Sequence, residues 1–132
     1  MRRDVWGLTR HVEVVINRLP NNKLSPNARV HWRTRHKAGA EDVEEVALLA
    51  RSASAGVRGL PWDRAHIDIE WVSKDKRKRD IDNLLSASKY FIDSLRWGGI
   101  LVEDSAEKVT YSLSSRISKD EGPCTIIRIR PA

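Results

Sequence analysis

Ile67, Ile69 and Trp71 alternate with His66, Asp68 and Glu70, and this stretch constrains the fold more than any other in the chain. A period of two over six residues belongs to a strand with one apolar and one polar face. The same alternation recurs at Val12, Val14 and Ile16, at Val109, Tyr111 and Leu113, and at Thr125, Ile127 and Ile129. Between these runs the period changes. Val43, Val46, Ala47 and Ala50 share one face of a helix over Ala40 to Ala55. Leu84, Leu85, Phe91, Ile92 and Leu95 do the same from about Asn83 to Trp97, where Gly98-Gly99 stops the helix. Four strands and two helices predict an α+β domain: a mixed β-sheet with about two helices packed on one face. The last two strands, joined by a turn over Lys119 to Pro123, are expected to form a hairpin.

A chain of 132 residues suits a single domain of this kind and can bury about two-thirds of its unfolded surface without staples. Its 24 Lys and Arg against 18 Asp and Glu leave a net charge of +6, which favours a polyanionic partner. The single Cys124 excludes an intrachain disulfide and a thiolate zinc site, and fits a reducing cytoplasm. No apolar run approaches the length of a membrane span or a signal peptide, so a cytoplasmic protein with no membrane partner is expected.

The charge is clustered. Lys74, Lys76, Arg77, Lys78 and Arg79 run directly into Asp80-Ile81-Asp82-Asn83, and Glu103-Asp104 follows the second helix. On extended backbone Asp80 and Asp82 point to the same side, roughly 6 to 7 Å apart along the strand, which suits a hard cation that prefers oxygen ligands. A third acidic group folded back by the helix closes the shell. Carboxylates alone repel a phosphodiester, and the flanking cations supply the opposite field. Acid set in base therefore points to phosphate chemistry. The competing reading is local: Asp80 or Asp82 as a helix cap, and Glu103-Asp104 as an exposed loop pair. A cap does not need a run of cations upstream.

Lys89 precedes Asp93 by one helical turn, as a weak surface pair or as a charge aimed at a scissile phosphate. Residues 20 to 39, with Pro20, Pro26 and Gly39, read as a long functional loop carrying Asn27, Arg29, His31, Arg33, Arg35, His36 and Lys37 for DNA contact. Trp32 is a candidate to stack on a base. Trp6, Trp62, Trp71 and Trp97 read as core or interface.

Taken in order, Lys78-Arg79-Asp80-Ile81-Asp82-Asn83, Lys89-Tyr90-Phe91-Ile92-Asp93-Ser94-Leu95 and Gly99-Ile100-Leu101-Val102-Glu103-Asp104 resemble the motifs of the RusA family of Holliday junction resolvases of phages and prophages. The stretch Asn21-Asn22 through Asn27-Ala28-Arg29-Val30-His31-Trp32 is similar to that family's amino-terminal loop. The resemblance implies one RusA-like endonuclease domain over residues 1–132, with Asp80, Asp82 and Asp104 as metal-binding carboxylates and Lys89 as the catalytic-site lysine. The chain departs from the family pattern in a longer spacer, Leu84-Leu85-Ser86-Ala87-Ser88, and in Glu103-Asp104 where two aspartates are usual. Glu103 is thus a further candidate ligand or a group behind the ligands.

The function implied is hydrolysis of phosphodiesters at four-way DNA junctions with Mg2+, or alternatively Mn2+, and without a small-molecule cofactor. Lys74 to Arg79, Asn83 and the Asn27 to Lys37 segment would hold branched DNA through its backbone. A homodimer matches a twofold-symmetric junction. Two other readings remain open at this point: a broader branched-DNA or flap endonuclease, and a nucleic-acid-binding module without catalysis.

Overall fold

In the computed structural model, described for residues 11–20, 32–76 and 79–132, the chain runs β1 (Val12–Ile16), α1 (Trp32–Ala53), β2 (Ala65–Ser73), α2 (Ile81–Ala87), α3 (Lys89–Trp97), β3 (Val109–Ile117) and β4 (Cys124–Pro131). The strands form one mixed sheet in the order β1-β4-β2-β3. β4 is antiparallel to both β1 and β2, and β3 is parallel to β2. It follows that β1, β2 and β3 all run the same way, with β4 threaded between the first two against their direction. The α+β expectation holds, and the alternating residues occupy the faces their period implies. Val12, Val14, Ile16, Ile67, Ile69, Trp71, Ile127 and Ile129 are buried with Val46 and Ala50 of α1 and Phe91 and Leu95 of α3 in one core.

The opposite face of the sheet carries charge that is largely paired. Arg128 reaches Glu13 at 3.1 Å, Asp68 at 3.2 Å and Glu70 at 3.5 Å. Arg116 reaches Glu70 at 3.2 Å and also binds Glu121. His66 lies 2.9 Å from the Ser112 hydroxyl, which donates to Asp68 at 2.7 Å. Such partly exposed pairs add little stability each. Their effect is to make the face unfavourable for helix packing, so the helices collect on the other side.

The expected hairpin does not form. β3 ends beside the end of β2, where the Ser118 N–H donates to the Ser73 carbonyl at 2.8 Å. The following turn crosses over the end of β2 and enters β4 on its far side, with Val72 opposite Cys124. Gly122 makes the crossing possible: a Cβ there would stand 2.9 Å from the Ser73 carbonyl carbon and 2.9 Å from the Ser118 oxygen. Sequence adjacency and a turn are shared by a hairpin and by this crossover, and only the close approach at Gly122 distinguishes them.

A second correction concerns α1. Residues 32 to 39 are not part of a loop but form the opening turns of this helix, and Ala38 packs with Ala87 and Tyr90. Gly39 was read as part of that loop. It sits within the helix instead, because any larger residue would collide with the Tyr90 ring. The second predicted helix is in fact two. Ser88 separates α2 from α3: its hydroxyl donates to the Leu84 carbonyl at 2.7 Å and accepts the Trp71 indole N–H at 3.1 Å. The stop at Gly98-Gly99 is as expected, with Gly98 closing α3 and Gly99 at φ +81°.

Candidate active site

The carboxyl end of β2 leads through the basic run to Asp80, the residue before α2. Asp80 has the extended backbone of an N-cap, and its carbonyl accepts the Leu84 N–H at 3.0 Å. Its carboxylate makes no capping bond. The position is therefore that of a cap, while the exposed side chain is not spent on the helix. Asp82 lies in the first turn of α2, also exposed, and Asn83 is half-buried. The expectation that Asp80 and Asp82 sit on one extended segment is thus corrected: the backbone turns helical at Ile81, so the strand-based spacing does not apply.

Lys89 opens α3 and is exposed. Asp93, expected as its surface partner, is half-buried one turn later. Its carboxyl lies beside that of Asp104. Burial and then the Asp104 charge push the Asp93 carboxyl above its ordinary range, while the charges of Lys89 and Arg96 pull it down. Tyr111 is raised by burial and by the same two carboxylates. Neighbouring carboxylates disfavour each other's ionisation, and a cation between them relieves that repulsion.

The return of the chain to this point depends on Trp62. Its N–H donates to the Ile100 carbonyl at 2.8 Å and its carbonyl accepts the Val102 N–H at 3.1 Å, an isolated parallel bridge that holds the segment before Asp104. Glu103 is exposed and Asp104 half-buried. Asp104, rather than Glu103, joins Leu85, Ser86, Lys89, Ile92 and Tyr111 around a cleft of about 340 Å³.

These observations sort the sequence-derived candidates. Lys89 and Asp104 meet at the cleft and Tyr111 joins them there, with Asp93 beside Asp104. Among the described residues, no three His, Cys, Asp or Glu side chains stand close enough to hold a metal ion. Asp80 and Asp82 are therefore not gathered with Asp104 at coordination distance, although all the donors are hard oxygens of the kind Mg2+ takes. Of the cations, Lys74 and Lys76 are exposed, and Arg79 pairs with Asp75 at 3.2 Å. Arg33, His36 and Lys37 are exposed on α1. The contact of Ala38 with Ala87 and Tyr90 brings that part of α1 beside the α2–α3 junction where Lys89 stands. Arg35 and Trp32 belong to α1 by backbone alone. Asn27, Arg29, His31, Arg77, Lys78 and Trp6 lie outside the described residues. Trp62 and Trp71 are core residues, whereas Trp97 is 63% exposed and is not.

Reading the sequence missed Tyr111 as a cleft residue and Asp93 as the neighbour of Asp104. Each had a signal: Asp93 falls one turn from Lys89, and Tyr111 lies on the apolar side of β3, in register with Ile67. No family model matches the chain. An uncharacterised protein of Xylella fastidiosa (strain Temecula1 / ATCC 700964) is 35% identical over 79 residues, a match covering 58% of this chain and 50% of that protein. The match thus spans about half the length of this relative. Among the described residues, no helix is long and apolar enough to cross a membrane.

Proposed function

We propose that the chain is a Mg2+-dependent, structure-selective endodeoxyribonuclease that resolves four-way DNA junctions as a homodimer in the cytoplasm. The observation that carries this reading is convergence. α2, which begins at Asp80-Ile81-Asp82-Asn83, supplies Leu85 and Ser86 to the cleft; the second motif supplies Lys89 and the third Asp104. The second and third motifs thus border one space, and the spacer that follows the first completes its lining.

In this reading the Lys89 ammonium offsets charge that develops on the scissile phosphate. Asp104, with Asp93 beside it, would be among the oxygen donors for a divalent ion. Asp80 and Asp82, exposed at the start of α2, would supply further carboxylate donors to such an ion. The ion supplies an activated water and stabilises the leaving oxygen. Lys74, Lys76, Arg33 and Lys37 hold the arms through phosphate contacts, which makes binding salt-sensitive and shape-selective.

The test is incubation of the purified protein with a synthetic four-way junction and a linear duplex of matching sequence, in Mg2+ or Mn2+, with EDTA and Asp82→Asn controls. Paired, metal-dependent nicks at the junction, absent in Asp82→Asn, are expected. Equal cutting of forks and flaps would move the assignment to a general branched-DNA nuclease. Binding without cleavage in either ion would make the chain a DNA-binding module.

A further inference from the structure

Trp97 is 63% exposed, the most open of the large apolar side chains among the described residues. A lone exposed ring needs no explanation, but the company of this one is specific. It closes α3, the helix that Lys89 opens at the cleft. Arg96, just before it, lies on the same side of α3 as Lys89, and its charge reaches Asp93. Arg51, in the last turn of α1, donates to the Trp97 carbonyl at 3.3 Å. Leu48, 60% exposed, stands one turn before Arg51. Both arginines are exposed, and neither joins a salt bridge among the described residues. The helices themselves fix this grouping. They lie side by side and point the same way, with Gly39 against the Tyr90 ring at one end of the seam and Gly98 against Ala47 and Ala50 at the other.

We propose that Trp97, Arg51 and Arg96 form a second nucleic-acid contact, in which the indole stacks on a nucleobase that has left its helix and the two guanidiniums hold the phosphates beside it. Aromatic platforms accept any base by its flat face, and cations alongside hold the backbone. An acidic peptide would satisfy the arginines but would bring no flat ring to the indole. From Lys89 to Trp97 α3 rises about 12 Å, the length of about three to four nucleotides at roughly 3.4 Å each. A strand with one phosphate at the cleft therefore reaches Trp97 with a base a few positions away, passing Arg96. Glu41 and Glu44, exposed on α1, keep its backbone to the α3 side. Taking a base out of the stack costs least where it is already unpaired, so the contact favours DNA with unpaired bases near the cut. That placement beside a cut rests on the nuclease reading, whereas stacking on Trp97 does not.

The test measures binding of the full chain in EDTA by fluorescence anisotropy, using a labelled oligothymidylate and the same strand made abasic. Trp97→Ala should bind the intact strand roughly five- to a hundredfold more weakly than the wild type, Trp97→Leu should match it, and Trp97→Phe should recover most of the loss. On the abasic strand the wild type and Trp97→Ala should bind alike, an outcome that loss of packing alone would not give. Arg51→Gln and Arg96→Gln should weaken binding of both strands, and each should lower the salt slope by about one. Wild-type affinity in Trp97→Ala would overturn the proposal, as would an equal loss on the intact and abasic strands. Failure of the wild type to bind the oligothymidylate would overturn it too, and would leave the surface to a protein partner. A chain that passes these tests but cuts no junction in Mg2+ or Mn2+ would refute only the nuclease reading. A junction nuclease whose Trp97→Ala variant binds normally would refute only this contact.

Discussion

Arg18 offers the sharpest test of how the core is held. Its guanidinium donates to Asp42 and to Glu45, each at 2.6 Å, and lies 5.1 Å from the centre of the Phe91 ring. Asp42 is 3% exposed, and its second oxygen has no hydrogen-bond partner. Burial therefore holds its carboxyl above the ordinary range despite the opposing charge of Arg18. Replacing Arg18 by methionine keeps an apolar stem and removes the charge. Breaking a fully buried pair costs about 3–5 kcal/mol. The Arg18 side chain is 34% exposed, so water screens part of that, and about 2 kcal/mol is the appropriate share. Loss of the Phe91 contact adds about 0.5–1 kcal/mol. Urea denaturation should thus show Arg18→Met destabilised by about 2.5–3 kcal/mol at neutral pH. The sign of the pH dependence follows from Asp42. Without Arg18 its folded-state pKa rises further above the unfolded value. The penalty is then absent below the unfolded pKa and grows as pH climbs through the folded one, so the deficit should shrink toward pH 4. Adding Asp42→Leu should restore most of the loss, since the orphaned charge goes with it. A deficit below about 0.5 kcal/mol at pH 7, one that does not shrink in acid, or additivity in the double variant would refute the argument.

Other perturbations address the packing and the cleft. Lys89→Gln should lower junction cleavage about a hundredfold or more while leaving stability within about 0.5 kcal/mol, because the residue is exposed; single-turnover kinetics and thermal melts would separate the two. Asp93→Asn should preserve the fold and abolish Mg2+-dependent cleavage, measured against Asp104→Asn as the reference. Gly98→Ala would place a Cβ 2.7 Å from that of Ala50 and force α1 and α3 apart, costing about 1–3 kcal/mol in denaturant unfolding. Ser88→Ala leaves the buried Trp71 indole N–H without its acceptor, a loss of about 1–3 kcal/mol that Trp71→Phe in the same chain should largely recover.

The strands were legible because burial of one sheet face writes a period of two directly into the residues. Ile67, Ile69 and Trp71 are all buried, as are Val12, Val14 and Ile16. Pairing order was not legible. A strand's period reports its faces and says nothing of its neighbours, so β3 and β4, consecutive and separated by a turn, looked like a hairpin. The start of α1 was hidden for a different reason: Gly39 weakens a helix in isolation, and its value here comes from the Tyr90 ring, supplied 51 residues later. The break at Ser88 likewise depends on Trp71, a tertiary partner that no local pattern contains. In the candidate site, Lys89 and Asp104 could be named from their order along the chain. Asp93 could not be separated from an ordinary surface aspartate until the fold brought Asp104 beside it.

The position of β4 between β1 and β2 also dictates when the domain can become stable. Among the described strands β1 pairs with β4 alone, and the two are joined by contacts such as the Thr125 hydroxyl donating to the Arg18 carbonyl, 107 residues apart in sequence. Closing a loop of that length costs roughly 4 kcal/mol in chain entropy before any contact repays it. During synthesis the β2–α2–α3–β3 unit can assemble on its own, while β1 waits unpaired and α1 keeps its apolar stripe uncovered. Insertion of β4 then zips both of its neighbours in one step. Folding of this domain to the native state therefore waits for β4, and until then the chain exposes open strand edges of the kind that favour aggregation.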